Sequence, residues 1–205
     1  MMTSLRLDAV CPRVLAPVSL ALDPGERVFI SGPSGSGKSL LLRAVADLDP
    51  HTGEVWLGAE ARSAMTPSRW RRRVGLLPAE AFWWADGVGE HFPQAAAGAG
   101  LHGLLADLGF EPDVCGWSVS RLSTGERQRL ALARLLAQDP EALLLDEATA
   151  NLDPSNRTRV ELVVEAYRAG HAAAVLWVSH DPEQRERLGG RQFGIRDGRL
   201  EALRP

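Results

Sequence analysis

The sequence predicts an α/β protein with a largely parallel sheet, and two observations carry that prediction. Short β-like runs alternate with helical stretches along most of the 205 residues, the pattern of strands joined by crossover helices. A glycine-rich loop, GPSGSGKS at Gly32 to Ser39, separates one such run from the next helical stretch. A 45% hydrophobic content is ordinary for a globular chain and leaves enough apolar side chains for one sizeable core.

Taken in order, Arg27 to Ser31 (RVFIS) reads as a buried strand and Ser39 to Leu48 as the helix after the glycine loop. Gly53 to Leu57 reads as a short strand, Thr66-Pro67-Ser68 as a helix start ahead of Arg69 to Arg73, and Val74 to Leu77 as another strand. From Ala79 to Ser120 strand signals stop. The small-residue run AAAGAG (Ala95 to Gly100) and the amphipathic Leu101 to Leu108 predict a small, partly helical insert there. A helix near Glu126 to Ala137 follows, then a buried strand at Ala142 to Leu145. Next come a helix over Ser155 to Arg168 closed by Gly170, a strand over Ala172 to Val178 and a short helix. Asp197-Gly198 between alternating residues is a hairpin signal. The expected organisation is one domain over 1–205. Residues 1–78 carry a β subdomain and the start of the core, 79–120 a short helical subdomain, and 121–205 the remaining core.

Composition excludes several classes. The formal net charge is −3, so no basic face points to nucleic acid as a partner. The arginines at 71–73 and at 127, 129 and 134 read as solvated helix faces. Cys11 and Cys115 are isolated in sequence, which argues against a disulfide framework or a zinc site. The N-terminus lacks the apolar region of a signal peptide. The longest uncharged apolar run, Ala172 to Val178, is far short of the ~18 residues of a membrane span. A cytosolic chain is expected.

Gly32 to Ser39 fits G-x-x-x-x-G-K-[ST] in a strand–loop–helix context. Glycines let successive N–H groups turn inward towards phosphate oxygens, and the following helix adds the positive end of its dipole. Lys38 is the only lysine among the 23 basic residues of the chain; all the others are arginine. A GC-rich genome explains the scarcity but not the place. A compact ammonium on a flexible stem reaches between β- and γ-phosphates where a planar guanidinium fits poorly. Ser39 is placed to ligate Mg²⁺.

Three further motifs follow in order: LSTGERQR at Leu122 to Arg129, ALLLDEATANLD at Ala142 to Asp153, and VLWVSHD at Val175 to Asp181. Each alone has a bland reading; Ser123-x-x-Glu126 is an ordinary capping box, for instance. Together, downstream of the phosphate loop, they make the chain resemble an ATP-binding-cassette (ABC) transporter ATPase of small bacterial type, over about Leu15 to Leu200. The resemblance implies a P-loop NTPase (RecA-like) parallel-sheet core with an antiparallel β subdomain and a short helical subdomain. It implies ATP and Mg²⁺ as ligands. Nucleotide contacts would come from Gly32, Pro33, Ser34, Gly35, Ser36, Gly37, Lys38, Ser39 and Leu40. Ser39 and Asp146 would hold the metal, Glu147 would be the general base, and Lys38 and His180 would contact the γ-phosphate. Ser123 and Gly125 would face ATP bound by a second copy of the chain, with Asn151 to Asp153 communicating across that interface.

By the same resemblance the partners are that second copy, in an ATP sandwich, and integral-membrane transporter subunits. The place is the cytoplasmic side of the bacterial membrane, with a lean towards metal (iron)-export ATPases. The alternatives are a soluble ABC ATPase or a weakly hydrolysing regulatory subunit. Three departures from the family pattern stand out. Ala79 occupies the position of a glutamine, beside Glu80. No aromatic residue lies at Cys11 to Arg13 to stack on adenine, leaving Arg13 as a candidate. Thr124 and Glu126 replace a glycine and a glutamine of the signature. Phe82-Trp83-Trp84, just after Ala79, read equally as an anchor for a membrane subunit or as the insert's own small core.

Overall fold

A computed structural model describes residues 3–93 and 99–203. Ten strands and six α-helices, numbered along the chain, form among them. The main sheet contains β3 (Arg27–Ser31), β6 (Val74–Leu77), β7 (Ala142–Asp146), β8 (Ala174–Val178), β9 (Arg191–Arg196) and β10 (Arg199–Ala202), in the order β10-β9-β3-β8-β7-β6. All neighbours are parallel except the β9–β10 hairpin. The hairpin turn places Asp197 and Gly198 at φ 47° and 73°, as the Asp-Gly pair requires. A second, antiparallel sheet runs β2-β1-β4-β5, from β1 (Leu5–Pro12), β2 (Val18–Leu22), β4 (His51–Leu57) and β5 (Glu60–Ala61).

The central strands are apolar on both faces, so they read as unbroken hydrophobic runs. Val28 and Ile30 of β3, Leu144 of β7 and Val178 of β8 join a core with the small sheet and α1 (Lys38–Val45). Phe29, Leu143, Leu145 and Trp177 point the other way, into a core with α4 (Thr124–Leu136) and α5 (Pro154–His171). The loops that carry the phosphate-loop glycines, Asp146-Glu147 and Ser179-His180 leave the C-terminal ends of β3, β7 and β8. These are adjacent parallel strands, and ligands of open α/β sheets bind at such ends.

Helix α2 (Pro67–Arg73) starts at Thr66, whose side chain accepts a hydrogen bond from the Arg69 amide. Between β6 and α4 lie α3 (Ala99–Asp107) and 3-10 turns at Val88–His91, Val114–Gly116 and Val119–Arg121. Most of the alanine-glycine run, residues 95–98, falls outside the described residues. Several boundaries differ from expectation: β4 starts earlier, at His51 and not Gly53, and β8 later, at Ala174 and not Ala172. Helix α1 ends at Val45, not Leu48, because Asp47 turns to φ 59°. Helix α5 passes through Gly170 to His171, and it is Ala172 that adopts the left-handed cap at φ 49°. A tertiary contact moves the bend: the Gly25 amide donates to Ala172 O at 2.7 Å, and the Arg168 guanidinium bonds Gly25 O. Final helix α6 (Pro182–Leu188) is capped by Asp181. Among the described residues no helix is long and apolar enough to cross a membrane.

Candidate active site

The phosphate loop is held open by backbone that only glycine adopts readily. Gly37, the N-cap of α1, has φ 101°, and Gly32 has φ 149° with the place of a Cβ only 2.8 Å from Ile195 O. Lys38 is 6% exposed and lies folded against the loop, its Nζ donating to the carbonyls of Gly32 (2.9 Å) and Pro33 (2.8 Å). Burial pulls its pKa down, while Glu147 and Asp146 oppose the shift. An ammonium engaged only with carbonyls, in reach of two carboxylates, is poised to exchange those carbonyls for phosphate oxygens.

Asp146 ends β7 buried, beside the Ser39 side chain. Its pKa is raised chiefly by burial and further by the Glu147 charge; Ser39, Lys38 and His180 offset part of that rise. A desolvated carboxylate beside a hydroxyl at the floor of a phosphate loop fits a hydrated divalent cation shared with phosphate oxygens. Among the described residues no cluster of three or more His, Cys, Asp or Glu could hold a metal unaided.

Glu147 sits at φ 51°, outside the usual region for a side chain of its size, with its amide donating to Val178 O at 3.1 Å. The turn points its carboxylate at His180, whose Nε2 is 3.0 Å from Glu147 Oε1. The two are partly exposed and line a cavity of about 310 Å³ with Thr149, Ala150, Arg157, Ser179 and Asp181. Thus Lys38, Ser39, Asp146, Glu147 and His180 converge. Ser123 and Gly125 lie elsewhere, at the N-terminus of α4. There Ser123 Oγ and N both donate to Glu126 at 2.8 Å, closing the capping box. The place of a Cβ on Gly125 is 3.2 Å from Leu152 and 3.7 Å from Asn151 O, which sets the signature against the segment Asn151 to Asp153.

The chain belongs to the ABC transporter family. That family's model matches residues 15–150, and several curated proteins are similar over nine-tenths or more of the chain. The phosphate import ATP-binding protein PstB of Aeropyrum pernix is 32% identical over 91% of this chain and 82% of its own length. The aliphatic sulfonates import ATP-binding protein SsuB 2 of Nocardia farcinica is 38% identical over 91% of this chain and 75% of its own. A dimeric ATP-binding cassette in a post-hydrolysis state, bound to ADP and Pi, superposes with a TM-score of 0.83 at 25% identity, covering 98% of this chain and 99% of that one. As an ABC ATPase the chain binds and hydrolyses ATP with Mg²⁺, and its fold is the P-loop cassette that the sequence implies.

Several features of this ABC cassette were not legible in the sequence. Val14 (53% exposed) and Leu15, in the turn between β1 and β2, press on the phosphate loop: the place of a Cβ on Gly37 is 3.1 Å from Val14 and 2.9 Å from Leu15. Arg13 is exposed in the same turn, with its charge acting on Asp49. Ala79 and Glu80 are exposed just beyond β6. The β6–β7 register ends at Leu77↔Leu145, so Ala79 and Glu147 both follow the C-terminal ends of neighbouring strands. Trp83 is half-buried, whereas Phe82 (73%) and Trp84 (61%) are exposed. Arg134 stacks against both tryptophans at 4.9 and 4.8 Å and donates to Phe82 O. His91 is buried behind them, its Nε2 accepting from the amides of Trp84 (3.0 Å) and Ala85 (3.1 Å).

Proposed function

We propose that the chain powers an importer from the cytoplasmic face of the membrane, as two copies that close head to tail around ATP beneath separate transmembrane subunits. The observation that carries the reading is the Glu147–His180 contact at 3.0 Å beside the Lys38, Ser39 and Asp146 cluster. Glu147 accepts the proton of the attacking water, with His180 holding its carboxylate in place and facing the γ-phosphate. Lys38 leaves its two carbonyls to bind β- and γ-phosphate oxygens, and amides of Gly35 to Leu40 bind the rest of the chain of phosphates. Ser39 and Asp146 hold Mg²⁺, which supplies charge neutralisation on the phosphates when bound. Ser123 and Gly125 face the γ-phosphate held by the second copy.

The exposed Phe82 and Trp84, stiffened by Arg134 and His91, suit an aromatic anchor for a cytoplasmic helix of a membrane subunit. Both named relatives are import ATP-binding proteins, which supports import and gives no support to a lean towards iron export. Affinity purification of the tagged chain from native membranes, with mass spectrometry of its partners, tests the assignment. A polytopic membrane protein at near-equal stoichiometry is expected; ribosomes or soluble partners alone would refute it. In the same preparation Glu147→Gln should abolish hydrolysis while ATP still binds.

A further inference from the structure

The loops bearing Glu147 and His180 leave neighbouring strands, and backbone ties them where they start, the Glu147 amide donating to Val178 O at 3.1 Å. What spans the two loops from behind is one buried amide. Gln184, on α6, is 0% exposed. Its Oε1 accepts from Ser179 Oγ at 2.6 Å, and Ser179 immediately precedes His180. Its Nε2 donates to Thr149 Oγ1 at 2.8 Å, two residues after Glu147, and to Glu161 Oε1 at 2.8 Å. The orientation of the amide follows from chemistry, because the Glu161 carboxylate can only accept. Glu161 is itself buried and anchored by Arg187, at 2.8 Å to each carboxylate oxygen. Ser179 Oγ also accepts from the Asp181 amide at 3.2 Å. Every polar atom of the Gln184 amide has a partner, and every partner but Glu161 belongs to a catalytic loop.

We infer that Gln184 is a positioning residue for ATP hydrolysis: it clamps the Thr149 loop to the Ser179 loop and so sets the Glu147–His180 geometry. The inference rests on the roles proposed above for those two residues. Only an amide serves here. A carboxylate would face Glu161 at 2.8 Å with no proton between them, and an apolar side chain would leave Ser179 Oγ and Thr149 Oγ1 without their partner. The clamp touches neither the phosphate loop nor Asp146, so it acts on the chemical step and not on nucleotide binding.

The test is steady-state Mg²⁺-ATPase kinetics on the full chain, alone and in the assembly isolated with it, for Gln184→Met, Thr149→Val and the double variant. Thermal unfolding and the affinity for a fluorescent ATP analogue are measured in parallel. Loosened geometry at the reacting atoms should lower kcat between about tenfold and a hundredfold. KM and nucleotide affinity should stay within about twofold, since uniform binding is untouched. Because both substitutions cut the same tie, the double variant should be no slower than Gln184→Met alone. Wild-type kcat in either folded variant, a KM that rises while kcat is unchanged, or additive losses would each overturn the clamp. Should Gln184→Met fail to fold, Thr149→Val alone decides by the same criteria. Glu147→Gln separates the two levels. If it hydrolyses ATP at the wild-type rate, the assigned base is wrong; if it is inactive and the clamp variants are not impaired, the clamp alone is wrong.

Discussion

Replacing Lys38 with arginine keeps the charge and changes only the shape, so it tests why this chain contains a single lysine. The Lys38 Nζ fits between two carbonyls at 2.9 and 2.8 Å, in a residue that is 6% exposed. A guanidinium spreads its donors over a plane and cannot reproduce both contacts in that gap. Each hydrogen bond from a charged group contributes roughly 1.5–3 kcal/mol, and forcing extra atoms into a well-filled place costs about 1–3 kcal/mol. Losing one such contact to phosphate weakens ATP binding by about tenfold to a hundredfold, before any loss in the chemical step. Titration with a fluorescent ATP analogue reads the affinity, denaturant unfolding reads the cost to the free protein, and phosphate release reads turnover. If Lys38→Arg bound ATP within about twofold of wild type and hydrolysed it at the same rate, the shape argument would be wrong. The lysine would then be an accident of composition.

Other expectations follow from the same geometry. Gly170 lies inside α5 with open space where its Cβ would go, and Ala172 occupies the left-handed cap. Gly170→Ala should therefore stabilise by up to about 1 kcal/mol, and Ala172→Gly by a similar ~1 kcal/mol, both read by chemical denaturation. Hydrogen bonding to the Arg73 guanidinium holds the Glu141 carboxyl below its ordinary 4.5, with the Thr3 hydroxyl helping. Its folded value lies below the unfolded one, so its contribution is complete above pH 4.5 and is lost as pH falls through the folded value. Melting temperature should drop on acidification below about pH 5, and less steeply in Glu141→Gln. Ala79→Gln places an amide just beyond the C-terminal end of β6, beside the strand that leads into Glu147. It should raise kcat more than it changes KM for Mg²⁺-ATP.

The parts of the fold legible in the sequence are those where one physical rule acts alone. Strands β7 and β8 are buried on both faces and so read as plain apolar runs, and the phosphate loop is legible because its spacing is its chemistry. Strand β1 escaped because a bulge breaks its alternation: Ala9 sits at φ 51° and the register shifts beside it on both partners. The antiparallel sheet was therefore expected only through family resemblance. Gln184 carried no signal at all. In PEQRERL it looks like one more solvated residue of a polar helix, and only the convergence of Thr149, Glu161 and Ser179 makes it interior. Val14 and Leu15 lie in a turn, and their contact with Gly37 depends on how the two sheets meet.

The charges of the site also predict how its ligands must arrive. Burial works against the charged forms of both Lys38 and Asp146, and each only partly compensates the other. ATP alone relieves the lysine but brings further negative charge towards Asp146 and Glu147, whereas a cation held by Ser39 and Asp146 relieves the carboxylates. Mg²⁺ and ATP together should thus stabilise the chain by more than ATP in chelator and Mg²⁺ alone combined. At a hundredfold excess over Kd the gain is about 2.7 kcal/mol, which for a chain of this size is a rise of roughly 5–10 °C in Tm. Asp146→Asn should keep the ATP response and lose its dependence on Mg²⁺. An equal shift from ATP with and without chelator in the wild-type chain would show that Asp146 and Ser39 do not hold the metal.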